Sequence, residues 1–215
     1  MWLTISQIGN EINNGLLWPT GRISDNDFSG ASKLLRAGAS AVRRASPSTR
    51  NVIHLANGWD KEDVSWFFTG IFNGGFLKPP DIDVMAFSFY PYYGTAATLK
   101  NLNSSMEYVV SAYNKVGGMV KQSTLFSYQI LILQDIMIAE TSWPAACNTE
   151  ATPLSEPTIP VSVEGQTIWI KDIVAILNKL SKAIGIVYWE PAWVNNSALG
   201  SSCSVRFLYL DPACL

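Results

Sequence analysis

The stretch NVIHLANGWDKEDVSWFFTGIF, residues 51–72, holds the pattern on which the fold prediction rests. It opens with an apolar run, residues 52–55, which lacks the polar alternation of a half-exposed strand and so predicts a buried parallel strand. The polar and aromatic cluster HLANGWD overlaps the end of this run. An amphipathic stretch over residues 60–72 then predicts a helix with Asp60 as its cap. The pattern therefore predicts one β/α unit with polar residues at the end of its strand.

The same unit recurs on both sides of this stretch. Further apolar runs predict buried strands over residues 4–9, 84–88, 136–139 and 184–188. Amphipathic segments between the runs predict helices over residues 28–45, 98–116 and 166–182. The order β-α-β-α-β-α-β-α-β predicts an α/β fold with a parallel sheet.

The ends of the strands distinguish a doubly wound sheet from a barrel. Every predicted strand runs into a polar or aromatic cluster: GNE, HLANGWD, SFYPYYG, AETSWP and YWEPAW. An open sheet gathers its ligand residues at one switch point, whereas a (β/α)8 barrel places them at the carboxyl end of each strand. No Gly-rich phosphate fingerprint follows a strand, which counts against a nucleotide-binding fold. We predict a (β/α)8 TIM barrel, incomplete because only five of its eight strands can be counted.

The composition excludes several classes of protein. Charged residues make up 15% of the chain and the net charge is -2, which argues against disorder and against binding to nucleic acid. The most apolar segment, residues 125–139, is interrupted by polar residues and is too short to span a membrane. The 8 Trp, 8 Tyr and 9 Phe fit either ordinary packing or stacking against sugars.

Two glutamates stand where chemistry is expected. Glu11 follows QIGN, and Glu140 follows DIMIA and precedes TSWP. Glycoside hydrolysis needs one protonated carboxyl group to assist the leaving oxygen and one ionised carboxylate, about 5–5.5 Å away for retention and further for inversion. A glutamate just past a strand is also a common solvated turn residue, so spacing alone leaves both interpretations open.

The motifs QIGNEINNGLLWPTG, AETSWP and YWEPAW resemble those of the fungal arabinogalactan endo-β-1,4-galactanases of glycoside hydrolase family 53, over roughly residues 6–203. The resemblance implies a retaining (β/α)8-barrel glycosidase whose last five β/α units, with strands four to eight, are present here. It implies that Glu11, on strand four, is the general acid/base and that Glu140, on strand seven, is the nucleophile. The implied reaction is double-displacement hydrolysis of the β-1,4-galactan side chains of pectin, without a cofactor.

The resemblance implies further site residues. Asn10 matches an asparagine that hydrogen-bonds the sugar 2-OH, and Tyr90 matches a tyrosine that orients the nucleophile and favours its ionised form. Trp189 matches an aromatic platform beside the cleaved bond, with barrel packing as its alternative. Asn57 and Asp60 either line the cleft or serve as turn and helix-cap residues.

Other residues receive structural interpretations. The resemblance implies a disulfide between Cys147 and Cys203 that ties the loops after strands seven and eight, and it gives Cys214 no counterpart. His54 is the only histidine and is interpreted as a hydrogen-bonded strand residue, because one histidine makes neither a metal site nor a catalytic triad. No acidic cluster replaces the calcium of bacterial relatives, so no metal is expected. Glu190 is interpreted as structural or as a contact at the rim.

The chain also departs from the family pattern. Residues 1–215 are interpreted as one partial glycosidase domain that lacks the signal peptide and the first three β/α units. Residues 116–134 are interpreted as an aberrant insertion, from a retained intron or a gene-model error, and residues 204–215 as an atypical tail. The resemblance implies a secreted monomer, with glycosylation sequons at Asn103 and Asn195.

Two alternatives to the galactanase function stay open. One is a catalytically inactive fragment that binds galactan weakly at most. The other is a relative that acts on a different β-linked glycan, such as mannan or xylan.

Overall fold

A computed structural model describes residues 4–113, 134–145 and 153–189 of the chain. Several predictions fall wholly or mostly on residues outside these ranges. They are the insertion at 116–134, the tail at 204–215, the Cys147–Cys203 disulfide and the interpretation of Glu190.

Seven strands and four α-helices make up the described secondary structure, with a short 3-10 helix at Pro79–Asp81. The strands are β1 (Ile5–Gln7), β2 (Gly15–Leu16), β3 (Gly21–Arg22), β4 (Arg50–Leu55), β5 (Val84–Ser88), β6 (Asp135–Thr141) and β7 (Ala183–Tyr188). The helices are α1 (Ser29–Ala45), α2 (Lys61–Asn73), α3 (Leu99–Tyr113) and α4 (Val163–Leu177).

Five of the strands form one parallel sheet in the order β1-β4-β5-β6-β7. Strands that are successive in this sheet are joined through helices, as in the β/α units of a barrel. The other two strands, β2 and β3, pair antiparallel as a small hairpin between β1 and α1. The prediction of five parallel barrel strands is confirmed, whereas the hairpin was not predicted.

The two faces of the sheet differ in what covers them. Side chains such as Ile53, Phe87 and Ile138 point from one face into the large core shared with the helices. The opposite face carries a separate small cluster made only of strand residues: Val52, Val84 and Ala86, with Met137 and Ala139 against them. In the described part of the chain, helices thus cover one face and strand side chains the other, as in the wall of a barrel. A doubly wound sheet would have helices on both faces.

Two of the helices, α2 and α4, begin at residues whose side chains cap them. Asp60 caps α2 by accepting a hydrogen bond from the backbone N–H of Asp63 at 3.1 Å, as predicted. Ser162 caps α4 in the same way, through the N–H of Gly165 at 3.1 Å. This cap explains why α4 begins three residues before the predicted start at residue 166.

Ion pairs tie the amino ends of the strands together. Arg50 at the start of β4 lies 2.5 Å from the carboxylate of Asp135 at the start of β6. Arg43 in the last turn of α1 lies 2.6 Å from Asp83, which precedes β5. These contacts brace the end of the sheet opposite the predicted site. Among the described residues, none of the helices is long and apolar enough to cross a membrane.

Candidate active site

Glu11 lies in a short excursion from the sheet at the carboxyl end of β1. The N–H of Ile8 bonds the carbonyl of Val52 at 2.9 Å, and the N–H of Ile12 bonds the carbonyl of His54 at 3.1 Å. The chain advances four residues while its partner strand advances two, so the three residues between Ile8 and Ile12 leave the ladder. Glu11 is the last of these three, and the ladder therefore fixes its position from both sides.

Two residues of this excursion have positive φ angles. Glu11 has a φ of 48° and Gly9 has a φ of 85°, both in the left-handed region. A Cβ at Gly9 would lie 2.6 Å from Cγ2 of Ile12, so only glycine fits at that position. A non-glycine residue held at positive φ needs support from its surroundings, and such residues concentrate at functional sites.

Asn13 supplies that support by clamping the loop of Glu11 to the neighbouring unit. Its Oδ1 accepts the N–H of Ala56 at 2.7 Å. Its Nδ2 donates to the carbonyl of Ala56 at 3.2 Å and to Oδ2 of Asp63 at 2.5 Å. Burial raises the pKa of Asp63 and the nearby Asp60 charge adds to this effect, while the bond from Asn13 opposes it.

A β-bulge aims Glu140 into the site. Phe87 on β5 pairs with Ile138 on β6, but Ser88 pairs with Glu140, so β6 has one extra residue at this point. Regular alternation would place Glu140 on the helix-covered face with Ile138. The bulge instead aligns Glu140 with Ser88, on the same face of the sheet as Val84. Bulges commonly re-aim a side chain beside an active site.

The backbone beyond the bulge is held by neighbouring strands and by α4. The carbonyl of Glu140 accepts the N–H of Phe89 at 2.9 Å. The hydroxyl of Thr141 donates to the carbonyl of Phe89 at 2.6 Å and accepts the indole N–H of Trp169 at 2.8 Å. Because Trp169 is fully buried, this contact fixes the residues around Glu140 to the helix layer.

The two glutamates meet at the carboxyl end of the sheet, as predicted. A carboxylate oxygen of Glu11, a ring nitrogen of His54 and a carboxylate oxygen of Glu140 all lie within 4.8 Å of one another. Two full negative charges at that distance repel by about 3 kcal/mol at an effective dielectric constant of about 20, before further screening by solvent. The charge of Glu11 therefore acts in the same direction as burial on the pKa of Glu140, which is raised.

Glu140 is buried and receives hydroxyl hydrogen bonds. Burial raises the pKa of Glu140, and the charge of Glu11 adds to this effect. The phenol of Tyr90 donates to Oε2 of Glu140 at 3.0 Å and lowers that pKa, and a hydrogen bond from Ser88 acts in the same direction. The pKa of Tyr90 is itself raised far above its ordinary value, chiefly by burial, so its phenol remains a donor. The predicted position of Tyr90 beside Glu140 is thus found.

His54 links the loop of Glu11 to the strand end that faces Glu140. Its Nδ1 lies 3.0 Å from Oδ1 of Asn10 and 3.1 Å from Nε2 of Gln7, and its Nε2 lies 2.8 Å from the hydroxyl of Ser88. Burial lowers the pKa of His54 and the charge of Glu11 opposes this effect, which favours the neutral ring at neutral pH. The interpretation of His54 as a hydrogen-bonded strand residue is correct, but its partners belong to the site.

The same cluster is the one place in the described residues where side chains could hold a metal ion. Glu11, His54 and Glu140 offer three ligand atoms. Both ring nitrogens of His54 already have protein partners, and its Nδ1 is 4.0 Å from Oε1 of Glu140. The donor set therefore fits a hydrogen-bonded carboxylate pair without a metal.

The remaining predicted site residues lie at the same end of the sheet. Trp189 directly follows β7, its N–H bonds the carbonyl of Thr141 at 2.9 Å, and 40% of its surface is exposed. Asp60 caps α2, and Asn57 forms a turn with a φ of 53° whose carbonyl accepts the N–H of Asp60 at 2.8 Å. The turn and cap roles of these last two residues are therefore present, and a contact with substrate stays a prediction.

Sequence reasoning did not assign Asn13, Ser88 or Gln7 to the site. Ser88 is a polar residue at the end of an apolar run, and Gln7 and Asn13 lie within the motif QIGNEINNGLLWPTG, which are the signals that could have identified them. Their partners are distant in the sequence, however, and only the folded chain brings them together.

A family model and two curated relatives match this sequence. The model described as Glycosyl hydrolase family 53 matches residues 1–209. The arabinogalactan endo-β-1,4-galactanase of Thermothelomyces thermophilus is 38% identical over 210 residues, 96% of this chain and 57% of that protein. The protein of the same name from Humicola insolens is 34% identical over 209 residues, 95% of this chain and 57% of that protein.

Solved structures agree with these relatives. A structure from a study of two fungal β-1,4-galactanases superposes with a TM-score of 0.78 at 36% identity, covering 94% of this chain and 56% of that one. The GH53 catalytic domain of Ignisphaera aggregans gives a TM-score of 0.69 at 29% identity, covering 91% of this chain and 50% of that one. The chain thus spans about half the length of the curated relatives and structures that it matches.

Proposed function

The chain belongs to glycosyl hydrolase family 53, and from that premise we propose that it acts as a retaining endo-β-1,4-galactanase on galactan side chains of pectin. One observation carries the proposal, namely that the carboxylate oxygens of Glu11 and Glu140 lie within 4.8 Å of each other. Carboxyl groups this close leave little room for a water molecule between them and the sugar, which favours retention over inversion. The names of the relatives support the choice of galactan.

In the first step Glu140 attacks the anomeric carbon of the galactosyl unit while Glu11 gives its proton to the departing glycosidic oxygen. The bond from the anomeric carbon to that oxygen breaks, and an ester bond forms between the sugar and Glu140. The shorter galactan chain leaves with the proton of Glu11 on its new hydroxyl group.

In the second step Glu11, now ionised, takes a proton from a water molecule that attacks the anomeric carbon. The ester bond to Glu140 breaks, the product carries a new hydroxyl group in the original configuration, and both glutamates return to their starting states. Glu11 is more exposed than Glu140, so water reaches it once the leaving chain has gone.

Two hydroxyl groups beside Glu140 favour its role as the nucleophile. Burial beside Glu11 raises the pKa of Glu140 and, taken alone, would favour Glu140 as the acid. The Tyr90 and Ser88 hydroxyl groups oppose this, because they donate to the ionised carboxylate. Glu140 therefore accepts hydrogen bonds from both hydroxyl groups. This suits a nucleophile, whose carboxylate must be ionised when it attacks the substrate.

Neighbouring groups suit the binding of the sugar. Oδ1 of Asn10 accepts the amide N–H of Gln7 at 3.1 Å, and its own amide nitrogen suits donation to the sugar 2-OH. The exposed ring of Trp189 suits a platform beneath the galactosyl unit that is attacked. We place the substrate across these two groups, with its leaving part over Glu11.

The proposal is tested with the 215-residue chain and a reducing-sugar assay on β-1,4-galactan, with mannan and xylan in parallel. We expect turnover of galactan alone, and a fall of about a hundredfold or more in both Glu11→Gln and Glu140→Gln. Glu62→Gln is the matched control, because that side chain is 82% exposed and lies 3.9 Å from the ammonium group of Lys61.

The outcomes separate the open alternatives. A folded, soluble chain that binds galactan without turnover would identify an inactive binding protein and contradict the proposed activity. Turnover of mannan or xylan in place of galactan would contradict the proposed substrate. Full activity of Glu140→Gln would contradict the proposed mechanism. We further propose that the protein works outside the cell as a monomer, which secretion from the source cells and light scattering would test.

A further inference from the structure

The loop that follows Glu11 ends in an exposed apolar tip that the proposed mechanism does not use. Leu17 is 72% exposed and Trp18 is 56% exposed, and Pro19 beside them is exposed as well. Single exposed apolar residues are ordinary, but adjoining ones with a large aromatic ring mark a surface that binds something.

The ring of Trp18 is held in place before any ligand arrives. Its indole N–H donates to the carbonyl of Asn14 at 3.1 Å. The guanidinium carbon of Arg22 lies 4.7 Å from the centre of the ring. Arg22 belongs to β3 and pairs with Gly15 on β2, so the hairpin fixes the cation over one face of the ring. With Arg22 in place, Trp18 is still 56% exposed, so part of the side chain is accessible to a ligand.

The hydrogen bond from Trp18 to the carbonyl of Asn14 limits how far the ring lies from Glu11. Asn14 is three residues from Glu11, so the Cα atoms of the two residues lie at most about 11 Å apart. The turn in which the N–H of Gly15 bonds the carbonyl of Ile12 at 2.8 Å shortens that path further. Trp18 therefore lies on the side of the site to which Glu11 belongs.

We propose that Trp18 is a stacking platform for a galactosyl unit on the leaving-group side of the cleaved bond, an inference that rests on the proposed function. Glu11 must face the leaving oxygen in order to protonate it, and the loop that positions Glu11 also carries Trp18. Trp189 lies by contrast at the end of β7, next to the strand of Glu140.

The chemistry of the ligand matches the ring. A β-galactosyl unit has one face made largely of C–H groups, because the axial hydroxyl group at C4 points to the opposite face. Such an apolar face packs well on an indole. A substrate without a sugar on the leaving-group side would make no use of this platform.

The test compares two substrates in Trp18→Ala and in a matched control. The substrates are β-1,4-galactan and an aryl β-galactobioside, whose leaving group contains no sugar. We expect the ratio of kcat/KM for galactan to kcat/KM for the aryl substrate to fall about tenfold in Trp18→Ala, with partial recovery in Trp18→Phe. The control is Phe76→Ala, since Phe76 is 46% exposed and has the cation of Lys33 at 5.9 Å, but lies in the loop that enters β5 at the other end of the sheet. Its ratio should equal that of the wild type.

Failure of this inference is distinguishable from failure of the proposed function. An active wild type whose ratio is unchanged in Trp18→Ala, or whose two activities fall equally, would overturn the platform and leave the galactanase standing. If the wild type has no turnover, calorimetric titration with β-1,4-galacto-oligosaccharides decides. Binding that weakens in Trp18→Ala and not in Phe76→Ala supports the platform, and equal binding or no binding overturns it.

Discussion

Replacing Tyr90 by Phe removes one hydroxyl group from the site and leaves the ring in place. That hydroxyl donates to Oε2 of Glu140 at 3.0 Å and lowers the pKa of this carboxyl group. A hydrogen bond to a charged group contributes about 1.5–3 kcal/mol. We therefore expect the ionised form of Glu140 to lose about that much stabilisation in Tyr90→Phe, and its pKa to rise.

The assay is the pH dependence of kcat/KM on galactan, which reports ionisations of the free enzyme. Because Glu140 must be ionised to attack, its pKa governs the acidic limb of the profile. That limb should move to higher pH in Tyr90→Phe, with a smaller loss of activity above it.

The matched control is Tyr92→Phe. Tyr92 stacks on Tyr90 with ring centres 5.3 Å apart, but its hydroxyl bonds that of Ser142 at 3.0 Å. The acidic limb of the Tyr92→Phe profile should lie at the same pH as that of the wild type. An unmoved limb in Tyr90→Phe, with activity lowered equally at every pH, would refute the assignment of Glu140 as the ionised group.

Three further predictions concern the supports of the site. Asn13→Ala leaves the half-buried Asp63 without its amide partner and should lower the free energy of unfolding by about 1–2 kcal/mol, measured by urea denaturation. Asn14→Ala, at the exposed neighbouring residue, should change the free energy of unfolding little. Equal losses in the two variants would contradict the role of Asn13 in holding the loop. Burial raises the pKa of Glu140 in the folded chain, so its stabilising contribution is complete below the unfolded pKa and is lost as pH rises through the folded pKa. Glu140→Gln should therefore raise Tm by about 2–4 °C at neutral pH and by little at pH 4, and a gain confined to acid would contradict this sign. Ser88→Ala should move the acidic limb upward by less than Tyr90→Phe, because that hydroxyl also bonds the neighbouring histidine, and a downward move would contradict its role as a donor.

The repeating units could be predicted because their signals are local. A buried parallel strand is a short apolar run, and an amphipathic helix repeats its apolar residues at helical spacing. Both signals are continuous in the sequence, so β4, β5 and their helices were found close to their true bounds. The start of α4 was placed too late because the cap at Ser162 was overlooked.

The positions of the two glutamates were predicted from motifs, but the reasons for those positions were not. Alternation along β6 places Glu140 on the helix-covered face, and only the bulge opposite Ser88 reverses this. The register shift depends on pairing with β5 and β7, which the sequence of β6 alone does not contain.

Long-range polar contacts were missed for a related reason. Asn13 and Asp63 are 50 residues apart, and Asn10 and His54 are 44 apart. Each residue taken alone fits a solvated loop or a strand, and the pairing exists only after β1 and β4 have aligned. His54 was therefore assigned the correct kind of role, a hydrogen-bonded strand residue, without its place between the two glutamates.

The central claim is that Glu140 is the nucleophile and Glu11 the acid/base, and covalent trapping tests it most directly. A 2-deoxy-2-fluoro-β-galactoside with an activated leaving group forms the sugar ester and hydrolyses it slowly, because fluorine destabilises the positively charged transition state. Mass spectrometry of the digested protein should locate the fluorosugar on Glu140. A label on Glu11, or turnover of galactan with no trapped ester on either glutamate, would contradict the account.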